Sequence, residues 1–197
     1  MTVKAGRLLI RTRIWRKAPI FVPTTIGYPA MRIYLIGFMG SGKSTIGRRL
    51  AKRLAYPFYD LDSVLEEKLG MSIREVFNER GEACFRTEEQ KVLHQISKEG
   101  RGVIATGGGT PCFFDNMAHM NKTGVTVYLK MSPLSLSHRL ENARLKRPLM
   151  EGKQGAELLA SIRELLMERE PYYLQASCII KGENAKPEQI MALIFGH

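Results

Sequence analysis

The run Gly37-Phe38-Met39-Gly40-Ser41-Gly42-Lys43-Ser44 fits the pattern G-x-x-x-x-G-K-[ST]. Its residue types suit one task, the grip of a polyphosphate. Glycines let successive backbone N–H groups converge on phosphate oxygens with no Cβ in the way. A helix that starts at the end of such a loop adds its unpaired N–H groups and the positive end of its dipole. Lys43 is placed to reach the outer phosphates of ATP, and the Ser44 hydroxyl to ligate Mg²⁺. A glycine-rich turn that merely joined a strand to a helix would need no Lys followed by Ser.

A nucleotide loop names the donor and leaves the acceptor open, so the acceptor must be read elsewhere. Asp60 and Asp62 stand two apart at the end of the segment FYDLD. On a strand, that spacing puts both carboxylates on one face, one for a metal and one for a hydroxyl; a solvated acidic turn capping the next helix is the alternative. Arg86, Arg147 and Arg169 are each unremarkable alone. Three guanidinium groups beside phosphate chemistry are more telling, because guanidinium pairs bidentately with carboxylate and phosphate.

These residues need a scaffold that brings them together. Arg32–Gly37, Phe58–Asp62, Val103–Thr106, Val125–Met131 and Cys178–Lys181 read as strands separated by helical segments. A helix is expected to follow the phosphate loop as far as Leu54. The helical pattern over 63–99 is broken near Gly70 and Gly81. Strands alternating with helices predict βαβ units, hence a three-layer α/β/α fold with a five-stranded parallel sheet. Ligands gather beyond the carboxyl ends of the strands in such sheets. The glycines at 37–42, the acids at 60 and 62 and the run Gly107-Gly108-Gly109 all fall there.

The composition sets limits. A chain of 197 residues accommodates one such domain. No apolar run approaches the roughly 20 residues that span a bilayer, so no membrane partner is expected. The three cysteines, Cys84, Cys112 and Cys178, form no CxxC pair and suggest neither a disulfide framework nor a zinc site. The four histidines have no metal-ligand spacing either. The formal charge is +11, but residues 1–30 hold six basic side chains and no acid. Residues 31–197 keep 24 basic against 19 acidic groups, an excess that suits small polyanions and requires no nucleic-acid partner. The Arg-rich segment 1–30, with Pro19, Pro23, Pro29 and the sole tryptophan, Trp15, reads as a dispensable or disordered leader ahead of a domain that begins at Met31. The alternative is an organelle transit peptide. A cytoplasmic monomer is the expectation.

Taken together, GFMGSGKSTIGRRLA, FYDLD, GEACFR, ATGGG, KRPLM and EREPYY resemble the shikimate kinases in order and spacing, over essentially all of residues 32–190. The resemblance implies a P-loop kinase fold of the nucleoside-monophosphate-kinase type. It implies transfer of the ATP γ-phosphate to shikimate with Mg²⁺, on the route to chorismate and aromatic amino acids. Carried over by position, Gly40, Ser41, Gly42, Lys43, Ser44 and Thr45 hold the ATP phosphates, and Ser44 with Asp60 holds the metal. Asp62 binds the acceptor hydroxyls and takes the transferred proton, while Arg86 and Arg169 clamp the carboxylate. Gly107, Gly108 and Gly109 approach the ring. Arg147 closes over the phosphates from a lid at about 142–156, and the helical insertion at about 63–97 forms the acceptor side. Arg139 corresponds to the adenine-stacking residue within one position, and Lys186 falls in the nucleotide loop. Another small P-loop kinase, acting on gluconate or a nucleoside monophosphate, and a catalytically inactive kinase-like regulator are the alternatives.

Overall fold

Ile33, Tyr34, Leu35 and Ile36 expose no surface at all, and they explain the first strand, β1 (Arg32–Ile36). A run apolar on both sides belongs in a sheet covered on both faces. In the computed structural model, which describes residues 31–142, 150 and 152–196, β1 is the central strand. The other strands are β2 (Phe58–Asp60), β3 (Gly102–Ala105), β4 (Val125–Lys130) and β5 (Cys178–Lys181). All pair in parallel, in the order β2-β3-β1-β4-β5.

The period of two along β1 sorts its side chains into two cores. Ile33 and Leu35 pack with Ile46, Leu50 and Leu54 of α1 (Lys43–Leu54) and Ile190 of α7 (Pro187–Phe195). Tyr34 and Ile36 face the opposite layer. That layer holds α2 (Leu61–Leu69), α3 (Ile73–Ile96), α4 (Asn116–Thr123), α5 (Pro133–Glu141) and α6 (Gly155–Tyr173). The result is the three-layer α/β/α architecture expected from the sequence.

The topology assembles the site. The chain leaves β1 for the outer position β2 and returns to fill the gap with β3. Leu35 and Asp60 both pair with Ala105, so the carboxyl ends of three neighbouring strands stop at one level. The loop after β1, the acids after β2 and the glycines after β3 therefore open side by side.

Boundaries differ from the sequence expectation in informative ways. β2 stops at Asp60, and Asp62 lies in the first turn of α2. The same-face argument for alternating strand positions thus does not apply, although both acids reach one cavity. Gly70 ends α2 in the left-handed region (φ 66°). Gly81 breaks the helical path within α3, as the sequence led one to expect, with φ 75° and ψ 169°, a conformation open to glycine. The start of α3 is fixed by a capping box: the Ser72 hydroxyl accepts from the Glu75 N–H, and the Glu75 carboxylate accepts from the Ser72 N–H. The leader 1–30 and residues 143–149, including Arg147, lie outside the described residues. The far edge of the expected lid is already helical, because α6 begins at Gly155.

Candidate active site

Gly42 precedes α1 with φ 93°, and the helix start has neither a side-chain cap nor an acid in its first turn. Its N–H groups and its dipole are left for an external anion. Lys43 is 8% exposed and donates to the carbonyls of Gly37 at 2.8 Å and Phe38 at 2.9 Å. These bonds bend the side chain back over its own loop. The Ser41 hydroxyl is buried with no protein partner among the described residues. Gly40, Gly42, Lys43, Ser44, Thr45, Asp60, Asp62 and Arg139 line a cavity of about 420 Å³ with Thr106, Gly107 and Gly108. In its wall the Ser44 hydroxyl donates to Asp60 Oδ2 at 2.5 Å. Arg139 borders it from α5, donating to the carbonyls of Ser41 at 3.2 Å and Glu183 at 2.8 Å. Those bonds tie the phosphate loop to the β5–α7 connection.

A second cavity adjoins the first through Met39, Asp62, Gly107 and Gly108, which line both. Its walls are apolar at Ile73, Phe77 and Phe85 and cationic at Arg86 and Arg169. Arg86 is 5% exposed and tightly held. It donates from Nε and Nη2 to Glu82 Oε1 at 3.1 and 2.9 Å, and from Nη1 to Glu89 Oε2 at 2.9 Å. The guanidinium also lies over the rings of Phe113 and Phe85, 4.1 and 4.8 Å from their centroids. Glu89 in turn accepts from the Thr110 hydroxyl at 2.5 Å. Burial pushes the Glu89 carboxyl above its ordinary range, opposed by the charge of Arg86 and by the hydrogen bonds from Thr110 and Arg86.

The three glycines after β3 are each required by a different neighbour. A Cβ at Gly107 would stand 2.8 Å from Glu89 Oε1 and 3.1 Å from Asp62 Oδ1. One at Gly108 would stand 3.2 Å from the Met39 N–H nitrogen and 3.4 Å from an Arg169 nitrogen. One at Gly109 would meet the Arg86 guanidinium at 2.6 to 2.9 Å. The run is bare because acid, arginine and phosphate loop press on it from three sides.

The structure thus brings together Lys43, Ser44, Thr45, Asp60, Asp62, Arg86, Gly107, Gly108, Gly109, Arg139 and Arg169. Lys186 stands apart: it is exposed, caps α7 and lines neither cavity. Glu89, Thr110, Phe113 and Tyr173 belong to the site without having been singled out from the sequence. The i,i+3 spacing of Arg86 and Glu89 was the one available signal, and α3 carries too many acids for it to stand out.

Comparison with known proteins gives one consistent family. The shikimate kinase family profile matches residues 39–196. A shikimate kinase of Bacteroides fragilis is 48% identical over 149 residues, 76% of this chain and 83% of its own length. The crystal structure of the shikimate kinase of Bacteroides thetaiotaomicron superposes with a TM-score of 0.81 at 40% identity, covering 84% of this chain and 99% of that one. The shikimate kinase of Acinetobacter baumannii in complex with shikimate superposes with a TM-score of 0.80 at 32% identity, covering 88% and 98%.

Proposed function

The chain belongs to the shikimate kinase family, and from that premise we propose that it transfers the γ-phosphate of ATP to the 3-hydroxyl of shikimate, giving shikimate 3-phosphate and ADP. The observation that carries the assignment of roles is the position of Asp62, in the wall shared by the phosphate cavity and the cavity of Arg86 and Arg169. An acceptor whose carboxylate pairs with the two arginines presents its hydroxyl beside Asp62 and toward the γ-phosphate.

Transfer then breaks the bond between the γ-phosphorus and the β,γ-bridging oxygen and forms one to the acceptor oxygen, whose proton passes to Asp62. Such a reaction needs mainly positioning and charge stabilisation. The start of α1 and Lys43 meet the phosphate charge. Lys43 must exchange a loop carbonyl for a phosphate oxygen, so the loop holds the cation ready beside its target. Ser44 and Asp60 supply hard oxygen donors already in contact, which suits Mg²⁺ held largely through water and phosphate oxygens. When bound, that ion neutralises charge on the β- and γ-phosphates. Arg147 supplies a further cation from the segment between α5 and α6 in this reading. The apolar wall of Ile73, Phe77 and Phe85 suits a carbocyclic ring better than a second nucleotide.

The enzyme is a monomer in this reading. The product would feed chorismate and aromatic amino-acid biosynthesis in the cytoplasm. Phosphorus NMR of a reaction with Mg-ATP and shikimate tests the proposal. A new phosphomonoester at the 3-hydroxyl, formed in step with ADP, is expected. Release of inorganic phosphate alone would refute it.

A further inference from the structure

Tyr173, the last residue of α6, has no exposed surface. Its ring packs against Tyr128, with centroids 5.1 Å apart, inside the larger core. A phenylalanine would fill such a place without the cost of burying a hydroxyl. The hydroxyl is nevertheless used: it donates to the Gly108 carbonyl at 2.5 Å, and a Cβ built on Gly108 would stand 3.4 Å from an Arg169 nitrogen. Gly108 and Arg169 both line the acceptor cavity, whereas Tyr173 itself does not.

We infer that Tyr173 is a positioning residue for the acceptor, whose buried hydroxyl locks the Arg169 guanidinium and the Gly108 peptide into one fixed arrangement. The inference rests on reading this cavity as the shikimate site. Arg169 lies one helical turn before Tyr173, on the same face of α6. Its long side chain would otherwise sample several rotamers over the cavity. The Gly108 peptide, anchored to the core by the Tyr173 hydroxyl, forms the surface against which that side chain rests. The same hydroxyl fixes the plane of the peptide after Gly108. In a trans peptide the next N–H, that of Gly109, points opposite to the Gly108 carbonyl. Gly109 abuts Arg86, so one hydroxyl registers both arginine-bearing walls against each other. Burial raises the phenol well above its ordinary range, so it remains a neutral hydroxyl able to donate to the carbonyl.

The test is steady-state kinetics of the full chain with Tyr173→Phe, which keeps the ring. Tyr128→Phe is the control, because that hydroxyl donates to Glu170 at 3.3 Å and borders neither cavity. Tyr173→Phe is expected to raise the shikimate KM about tenfold, the scale of a hydrogen bond to a charged group. Its kcat should stay within about twofold and its ATP KM unchanged, the split of a binding-geometry effect. Tyr128→Phe should leave the shikimate KM alone. An unchanged shikimate KM in Tyr173→Phe would overturn the inference while wild-type activity on shikimate upheld the site. A fall in kcat and Tm together with a rise in both KM values would overturn it too, since that marks a merely structural role. A wild-type protein inactive on shikimate would instead overturn the reading of the cavity, and the inference with it.

Discussion

Replacing Gly109 by alanine adds one methyl group, and the structure says what that group meets. The backbone at Gly109 has φ −91° and ψ −17°, which alanine adopts without strain. The whole effect should therefore come from contact. The new Cβ would lie 2.6 Å from Arg86 Nη2 and 2.8 Å from Nη1, so the guanidinium must retreat about 0.8 Å to reach ordinary contact. It cannot do so freely, being bonded to Glu82 and Glu89 and packed over the rings of Phe85 and Phe113. Retreat displaces the guanidinium from the acceptor carboxylate, and a charge-assisted hydrogen bond of that kind is worth roughly 1.5–3 kcal/mol. Its loss predicts a shikimate Kd raised about ten- to a hundredfold. Calorimetry with a non-hydrolysable ATP analogue present reads that constant directly, and nucleotide affinity should stay the same. An unchanged shikimate Kd in Gly109→Ala would refute the reasoning, since it would mean that Arg86 either moves without cost or does not bind the acceptor.

Four further outcomes follow, three from the site and one from a stacked histidine pair. Arg169→Ala removes half of the proposed carboxylate clamp and should raise the shikimate Kd about ten- to a hundredfold. Arg147→Ala should chiefly lower kcat, and equal effects of the two on the shikimate Kd would contradict their separate roles. Ser44→Ala should raise the Mg²⁺ concentration needed for half-maximal activity, and an unshifted magnesium titration would exclude that hydroxyl as a ligand. His119 stacks on His94 with ring centroids 3.8 Å apart, and burial, then the neighbouring His94, holds its pKa below the ordinary 6.5. The unfolded chain therefore takes up this proton more readily than the folded one. Its contribution to stability is full above about pH 6.5 and is lost as pH falls below that. Tm should drop on acidification through this window, and His119→Phe should flatten the drop; an equal slope in the variant would refute the assignment.

The parts of the site legible in the sequence are those whose chemistry is local in the chain. The phosphate loop is one contiguous segment, and its glycines, Lys43 and Ser44 declare their use by type and order. β1 and β5 were readable because short apolar runs between turns have few other uses. Asp62 is singled out by a spacing argument the fold does not support, since it stands in a helix and not on the strand. What stayed hidden is non-local. Glu89 is one acid among several in α3, and only burial against Arg86 and Thr110 distinguishes it. Tyr173 reads as core, and its second use appears only when α6 is laid beside the loop after β3. The bareness of Gly107–Gly109 suggested a close approach, but which neighbour each glycine admits depends on the packing of three elements distant in sequence.

The central claim is that the cavity bounded by Asp62, Arg86, Arg169 and Gly107–Gly109 selects shikimate as phosphate acceptor. The most direct measurement is kcat/KM for ADP release with Mg-ATP, taken in parallel for shikimate, gluconate and nucleoside monophosphates. The account predicts that shikimate exceeds every other acceptor by at least about a hundredfold, because only its ring fits the apolar wall while its carboxylate engages both arginines. A comparable or higher kcat/KM for gluconate or any nucleotide would contradict it.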